Sequence, residues 1–518
     1  MRPGSGALQG PLQGVSVKIW GYGGLLMLAG ALALLPETAQ AAWLQAKTRH
    51  FTIMSDGSEA RLREFAEKLE KFDGLLRHVT GITDPEAGSP VHVYLLSNDA
   101  KVKALTRNSN IGGFYTTSDR FAYAVLARGM KTSEYDIGAQ DILFHEYTHH
   151  FMLHHFPAAY PSWYVEGFAE FFSVVKFPRD GSVQFGLIPM ARAPTLVLDS
   201  PYPLKDLFAR DTDGLGLRDG DRYYGTAWLL THYYQYKADR RAEISHYLKD
   251  LTDGVPDMKL DGYFAGGIDG LEKDLKAYMR RPLAASKLIP QAVTVGEIAI
   301  GPVDAARGAL VEDELRLMHH PRTEDLPRIV SDIRATAAKF PSSAYAATLL
   351  AEAEWEAEEK PAALADADRA IALDPGLSRA HSVRARVLLE RAHDDDREED
   401  WKAARTAIVK ANRADTEDPV PLALFYRYHA MKGGPVPEIG YDGLAKAYML
   451  LPQRPEYRMA YVQALAFRGE YAAASRLLDP LAYSPHPSEM RDAALDMKRR
   501  FDAEAARAIS SQMGSSGI

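Results

Sequence analysis

The chain has no cysteine in its 518 residues. That absence excludes disulfides, thiolate metal ligands and lipidation at a lipobox cysteine, so an exported form would have to be held together by packing alone. Positive charge is also short: 61 Lys and Arg against 69 Asp and Glu give a formal charge of -8, which leaves no basic footprint for nucleic acid. The remaining composition, 46% hydrophobic and 25% charged, is that of ordinary globular domains, and the length suits two or three of them. An apolar run from Ile19 to Leu35 follows sparse positive charge (Arg2, Lys18) and precedes Pro36 and Ala39-Gln40-Ala41. This is the pattern of a secretory signal peptide over residues 1–41, with the mature chain starting at Ala42 and a periplasmic or extracellular destination. The run is about as long as the shortest membrane spans, so an uncleaved amino-terminal anchor is the alternative, and the only membrane contact expected.

The stretch Asp141 to Glu170, DILFHEYTHHFMLHHFPAAYPSWYVEGFAE, carries the chemistry. Ile142, Leu143, Phe144, Tyr147, Phe151 and Met152 suit a buried helix, on which His145 and His149, four residues apart, project from one face. Two imidazoles at that spacing can share a zinc ion, with Glu146 beside them to act on water at the metal. An HExxH arises by chance in a chain of this composition roughly 3% of the time, so the motif needs context. A catalytic zinc takes three protein ligands and keeps one position open. Seventeen residues after His149 stands Glu166, and Pro157 and Pro161 break the first helix so that a second, from Tyr164 to Phe172, can run back past the metal. Glu166 and Glu170 lie four apart on an otherwise apolar segment, where unpaired carboxylates would be costly. Ligation by Glu166, and a hydrogen bond from a ligand histidine to Glu170, remove that objection.

At these residues the chain resembles the gluzincin clan of zinc metallopeptidases, and most closely the thermolysin-like peptidase MA group, with HExTHH followed by PxWxxEGxAE. The resemblance spans about Thr48 to Leu283 and implies His145, His149 and Glu166 as ligands with Glu146 as general base. It also implies an edge strand just before the motif helix that pairs with extended substrate, a place taken by Phe121 to Leu126; an interior strand is the other reading. Related peptidases set a tyrosine or histidine from a later helix against the developing oxyanion. Tyr224 is the candidate here and Tyr223 its rival, with plain aromatic packing as the alternative.

Five of the 16 histidines fall between His145 and His155, and His150, His154 and His155 read as structural or solvent-facing because their helical angles differ from the pair or carry them a turn away. Upstream, His50 to Met54 and Val91 to Leu96 read as strands and Glu59 to Val79 as an amphipathic helix. Arg210 to Arg222 reads as a polar loop; it fails as a calcium site because counting from Asp211 puts Leu215 at the fifth ligand position of an EF-hand. A helix then starts at Tyr223, and another spans Tyr263 to Met279.

Residues 287–325 mix a β-like patch with Gly301-Pro302 and a charged helix, as at a domain junction. Beyond it Ala351, Ala363, Ala367, Ala370 and Pro375 occupy the small-residue and proline positions of a 34-residue tetratricopeptide unit starting near Ala344. Further units start near Ser378, Pro421 and Pro455, with an acidic insertion at Asp394 to Asp400 and a capping helix near Ser488 to Ile509. The expected fold is therefore α+β: a zincin-like metallopeptidase domain over 42–286, then an all-α TPR-like helical solenoid over 326–513, able to hold a peptide or protein partner or to act as a buttress. The expected activity is zinc-dependent (Zn2+) hydrolysis of a peptide or protein substrate. An inactive exported scaffold on the same frame, and a zinc hydrolase of cell-wall or other non-peptide amides, are the alternatives.

Overall fold

A computed structural model describes residues 43–515 apart from 84–88, 107–111, 130–132, 134, 210–213, 256, 320 and 486–487. Segment 1–41, expected as a signal peptide or anchor, lies outside the described residues, and no described helix is long and apolar enough to cross a membrane. The first half alternates strands and helices: β1 (Leu44–Lys47), β2 (Phe51–Ser55), α1 (Glu59–Thr80), β3 (Val91–Leu96), α2 (Asp99–Thr106), β4 (Gly113–Thr117), β5 (Ala122–Ala127), α3 (Ala139–His155) and α4 (Ser162–Ser173). There follow β6 (Val183–Phe185), α5 (Ala193–Leu198), α6 (Leu204–Ala209), α7 (Leu217–Tyr236), α8 (Arg241–Thr252), α9 (Gly267–Met279), β7 (Ser286–Leu288), β8 (Ala299–Pro302) and α10 (Ala305–Met318).

Six strands make one mixed sheet in the order β4-β5-β3-β2-β1-β8, parallel across β2, β3 and β5 and antiparallel elsewhere. Side chains alternate between its faces. Val91, Val93, Ala124 and Leu126 join the large core with α1, α3, α4 and α7, whereas Tyr94, Leu96, Tyr123 and Val125 pack on the other side with Val311 and Leu315 of α10. A sheet covered on both faces explains why its central strands read as nearly continuous apolar runs.

Three expectations need correction. The strand Phe121 to Leu126 is not at the edge: β5 lies between β3 and β4, and β4 is the edge strand. The loop ending at Arg222 stops earlier, because α7 begins at Leu217, with Gly216 extended before it and Asp219 in the first turn where a negative charge favours a helix start. Residues 287–325 are built into the folded unit: β7 pairs with β6, and β8 pairs with β1 over Leu44↔Pro302 to Lys47↔Ala299.

The second half is helical: α11 (Leu326–Ala337), α12 (Ala344–Glu356), α13 (Lys360–Leu373), α14 (Ser378–Asp395), α15 (Glu398–Ala414), α16 (Pro419–Lys432), α17 (Glu438–Leu450), α18 (Pro455–Phe467), α19 (Tyr471–Ala482) and α20 (Glu489–Ser515). From α12 to α19 these stack as consecutive helical hairpins, and Ala351, Ala363, Ala367 and Ala370 are fully buried where the paired helices cross. The acidic Asp394 to Asp400 spans the end of α14, the two-residue turn Asp396-Arg397 and the first turn of α15, with Asp396 in the left-handed region at φ 48°.

The two halves meet at the β4–β5 hairpin tip. Its Asp119 and Arg120 reach the first helix of successive solenoid hairpins: Asp119 pairs with Arg386 of α14, and its backbone oxygen accepts a hydrogen bond from Tyr457 of α18 at 2.5 Å. Arg120 lies 3.3 Å from Glu352 of α12 and 3.6 Å from Asp418 at the start of α16. The face expected to take a partner is thus partly occupied by the chain itself, with a cavity of about 690 Å³ left beside the tip.

Candidate metal centre

Helix α3 is pinned before it can present anything. Phe144 stacks on Phe72 of α1 with ring centroids 4.0 Å apart, and the Tyr147 hydroxyl donates to Asp73 Oδ1 at 2.8 Å. The same Asp73 carboxylate accepts from Arg77 at 2.7 Å, so the tyrosine meets a neutralised partner. Helix α4 is set just as firmly against α7. A Cβ added at Gly167 would stand 2.4 Å from the backbone oxygen of Ala227 and 2.5 Å from Thr231 Oγ1, so only glycine permits this approach. Glu166 is the residue before that contact, and close helix packing therefore fixes where its carboxylate stands.

The outcome is convergence of His145, His149 and Glu166, the only such cluster of potential metal ligands among the described residues. His145 Nε2 lies 3.0 Å from His149 Nε2 and 3.2 Å from Glu166 Oε2, and His149 Nε2 lies 3.5 Å from the same oxygen. Ligands at about 2.0–2.1 Å from a tetrahedral ion are separated by roughly 3.3 Å, so these three atoms outline one face of such a tetrahedron. The group can hold a metal ion. Its electrostatics favour positive charge at this point. Burial alone would strip a proton from His145, but the carboxylates of Glu166, Glu170 and Glu146 outweigh it and raise the imidazole to about 9. Burial works against the charge of Glu166 too, and His149 and His145 overcome it, holding the carboxyl well below its usual range. A carboxylate with 0% exposure needs a cation beside it.

Around the three lie groups with distinct positions. Glu146, one residue along α3, is half-buried, and none of the described residues hydrogen-bonds its carboxylate. Glu170 faces His145 Nδ1 at 3.6 Å, longer than the hydrogen bond expected from sequence, because its Oε1 accepts from Arg192 Nη2 at 3.0 Å. Arg192 also pairs with Asp221, and its guanidinium lies 5.0 Å from the ring centre of Tyr224. Tyr224 reaches the site, its ring 6.4 Å from that of His145; burial first, then the charge of Glu166, raises its hydroxyl above the usual phenol range. The side chain of Tyr223 is fully buried in the core against Tyr202.

His150 turns to the edge strand, with Nδ1 2.7 Å from the Tyr115 hydroxyl, and burial lowers it to about 3. His154 and His155 pack on each other and on neighbouring rings, away from the ligand group. Sequence reasoning had no signal for Arg192 or Tyr115: each is brought in by long-range packing, and neither belongs to a spaced motif. No protein-family model matches this chain, and no curated protein sequence matches it.

Proposed function

We propose that the protein is a zinc-dependent metallopeptidase of the gluzincin type, exported by its amino-terminal segment, in which His145, His149 and Glu166 hold the metal. The observation that carries this reading is the near-tetrahedral face formed by the three ligand atoms, with Glu146 beside it and, among the described residues, no competing hydrogen bond on its carboxylate. Zinc bound there would supply Lewis-acid polarisation and make water acidic near neutral pH. Glu146 takes the proton from the attacking water and returns it to the leaving amine nitrogen. Tyr224, whose hydroxyl stays protonated in this setting, donates a hydrogen bond to the carbonyl oxygen as negative charge gathers on it. Arg192 steadies that ring and holds Glu170 behind His145. Extended peptide adds to the outer edge of β4, the strand beside α3, by main-chain hydrogen bonding.

The test is hydrolysis of fluorogenic peptides by the mature protein. Activity is expected to vanish with a chelator, to return with zinc, and to fall at least about a hundredfold in Glu146→Gln with the metal retained. Equal turnover in Glu146→Gln would remove that residue from the mechanism. Metal-loaded protein inert toward every peptide would favour the scaffold or the non-peptide amide hydrolase.

A further inference from the structure

Among the described residues, the solenoid touches the proposed cleft at the α17–α18 turn. Ala127 N–H donates to Gly112 O at 3.2 Å and Ser118 N–H to Phe121 O at 2.9 Å. By the alternation of an antiparallel ladder, Phe114 and Thr116 bond to β5, while the backbone groups of Gly113, Tyr115 and Thr117 point off the sheet. The last of these is covered: Thr117 O accepts from Arg454 Nη1 at 3.1 Å. The preceding residue, Gln453, donates from Nε2 to the backbone oxygen of His150 on α3 at 3.2 Å. Two consecutive residues of the α17–α18 turn thus bridge from the edge strand to the motif helix. The turn is seated firmly, since Leu451 is 1% exposed within the core that contains α3 and α4. Tyr115, within reach of the Glu146 charge and of His150, stands two residues before the covered carbonyl. At about 3.3 Å per residue that leaves roughly 7 Å of edge.

We propose that the α17–α18 turn is the end wall of the substrate cleft, and that Gln453 and Arg454 restrict the enzyme to peptides ending close to the scissile bond on that side. This rests on the peptidase reading above and refines it: the substrate class is peptide termini or short oligopeptides, not internal loops of folded proteins. The wall carries the Arg454 guanidinium and, paired with its Nε at 2.6 Å, the Glu456 carboxylate.

The test uses the zinc-loaded mature protein and peptides lengthened one residue at a time, on either side of a fixed scissile bond. In the wild type, kcat/KM is expected to fall about tenfold or more once one side, and only one, grows past about two residues from the position opposite Tyr115. Arg454→Ala, alone or with Gln453→Ala, is expected to restore the long peptides relative to the short ones. A second readout is fluorescence anisotropy of the same peptides, labelled, on zinc-loaded Glu146→Gln, where binding should show the same cut-off without turnover. Long peptides accepted equally on both sides by the wild type would overturn the wall and leave the peptidase standing. A binding cut-off without hydrolysis in the wild type would keep the wall and overturn the peptidase, whereas neither binding nor hydrolysis would overturn both.

Discussion

A carboxylate with no exposed surface, two imidazoles within 3.5 Å of it and four further charged or phenolic groups around them make a site in which single atoms matter. Tyr224 is the sharpest case. Removing only its hydroxyl keeps the ring under Arg192 and leaves the three ligands untouched. Tyr224→Phe is therefore expected to bind zinc normally and to lose about a hundred- to a thousandfold in kcat, as when one oxyanion donor is removed. Unchanged kcat would return the tyrosine to packing. His92, on β3, tests the sheet itself. It stacks on Phe121 at 3.8 Å, and burial, then the charges of Arg307, Arg379 and Lys47, lower it from 6.5 to about 3. Between those values the unfolded chain binds a proton that the folded chain refuses, so stability is full above about pH 6.5 and drains away as pH falls toward 3. His92→Gln should flatten that part of the melting temperature's pH dependence; an identical slope would contradict the assignment.

At the scale of elements, Gly167 joins packing to chemistry. Because a methyl group there would meet the backbone of α7, Gly167→Ala must separate α4 from α7 and shift Glu166 with it. A loss of about 1–3 kcal/mol in stability is expected from overpacking, together with weaker zinc binding. Denaturant unfolding and a metal titration on one preparation check both, and an unchanged zinc affinity would show that α4 can move without its ligand. The two helices of the site were legible in the sequence for local reasons: histidines four apart on an apolar run, prolines at Pro157 and Pro161, and Glu166 on the next segment. The place of β4 at the sheet edge was not, because strand order is decided by pairing between distant segments. Neither were Arg192 and Tyr115, whose partners Glu170, Asp221 and His150 lie between 22 and 35 residues away in sequence.

Across the whole molecule, the alanine positions of the repeat made the solenoid readable, since a helix crossing tolerates only small side chains there. What they could not convey is that the first helix of each hairpin faces the molecule's own β4–β5 tip, through Arg386, Glu352, Asp418 and Tyr457. Nor could composition show that 287–325, polar and broken by Gly301-Pro302, supplies a sheet strand and a helix packed on the sheet. Limited trypsin digestion should accordingly spare Arg307 and Arg316 in α10; rapid cleavage there, giving separate amino- and carboxy-terminal halves, would contradict the packing. The proposed arrangement has His145, His149 and Glu166 sharing a single metal ion. Calorimetric titration of zinc into chelator-stripped mature protein, alongside Glu166→Ala and His149→Ala, tests it most directly. One zinc per chain, lost in both variants, is the result expected; no binding in the wild type, or binding undiminished in both variants, would contradict it.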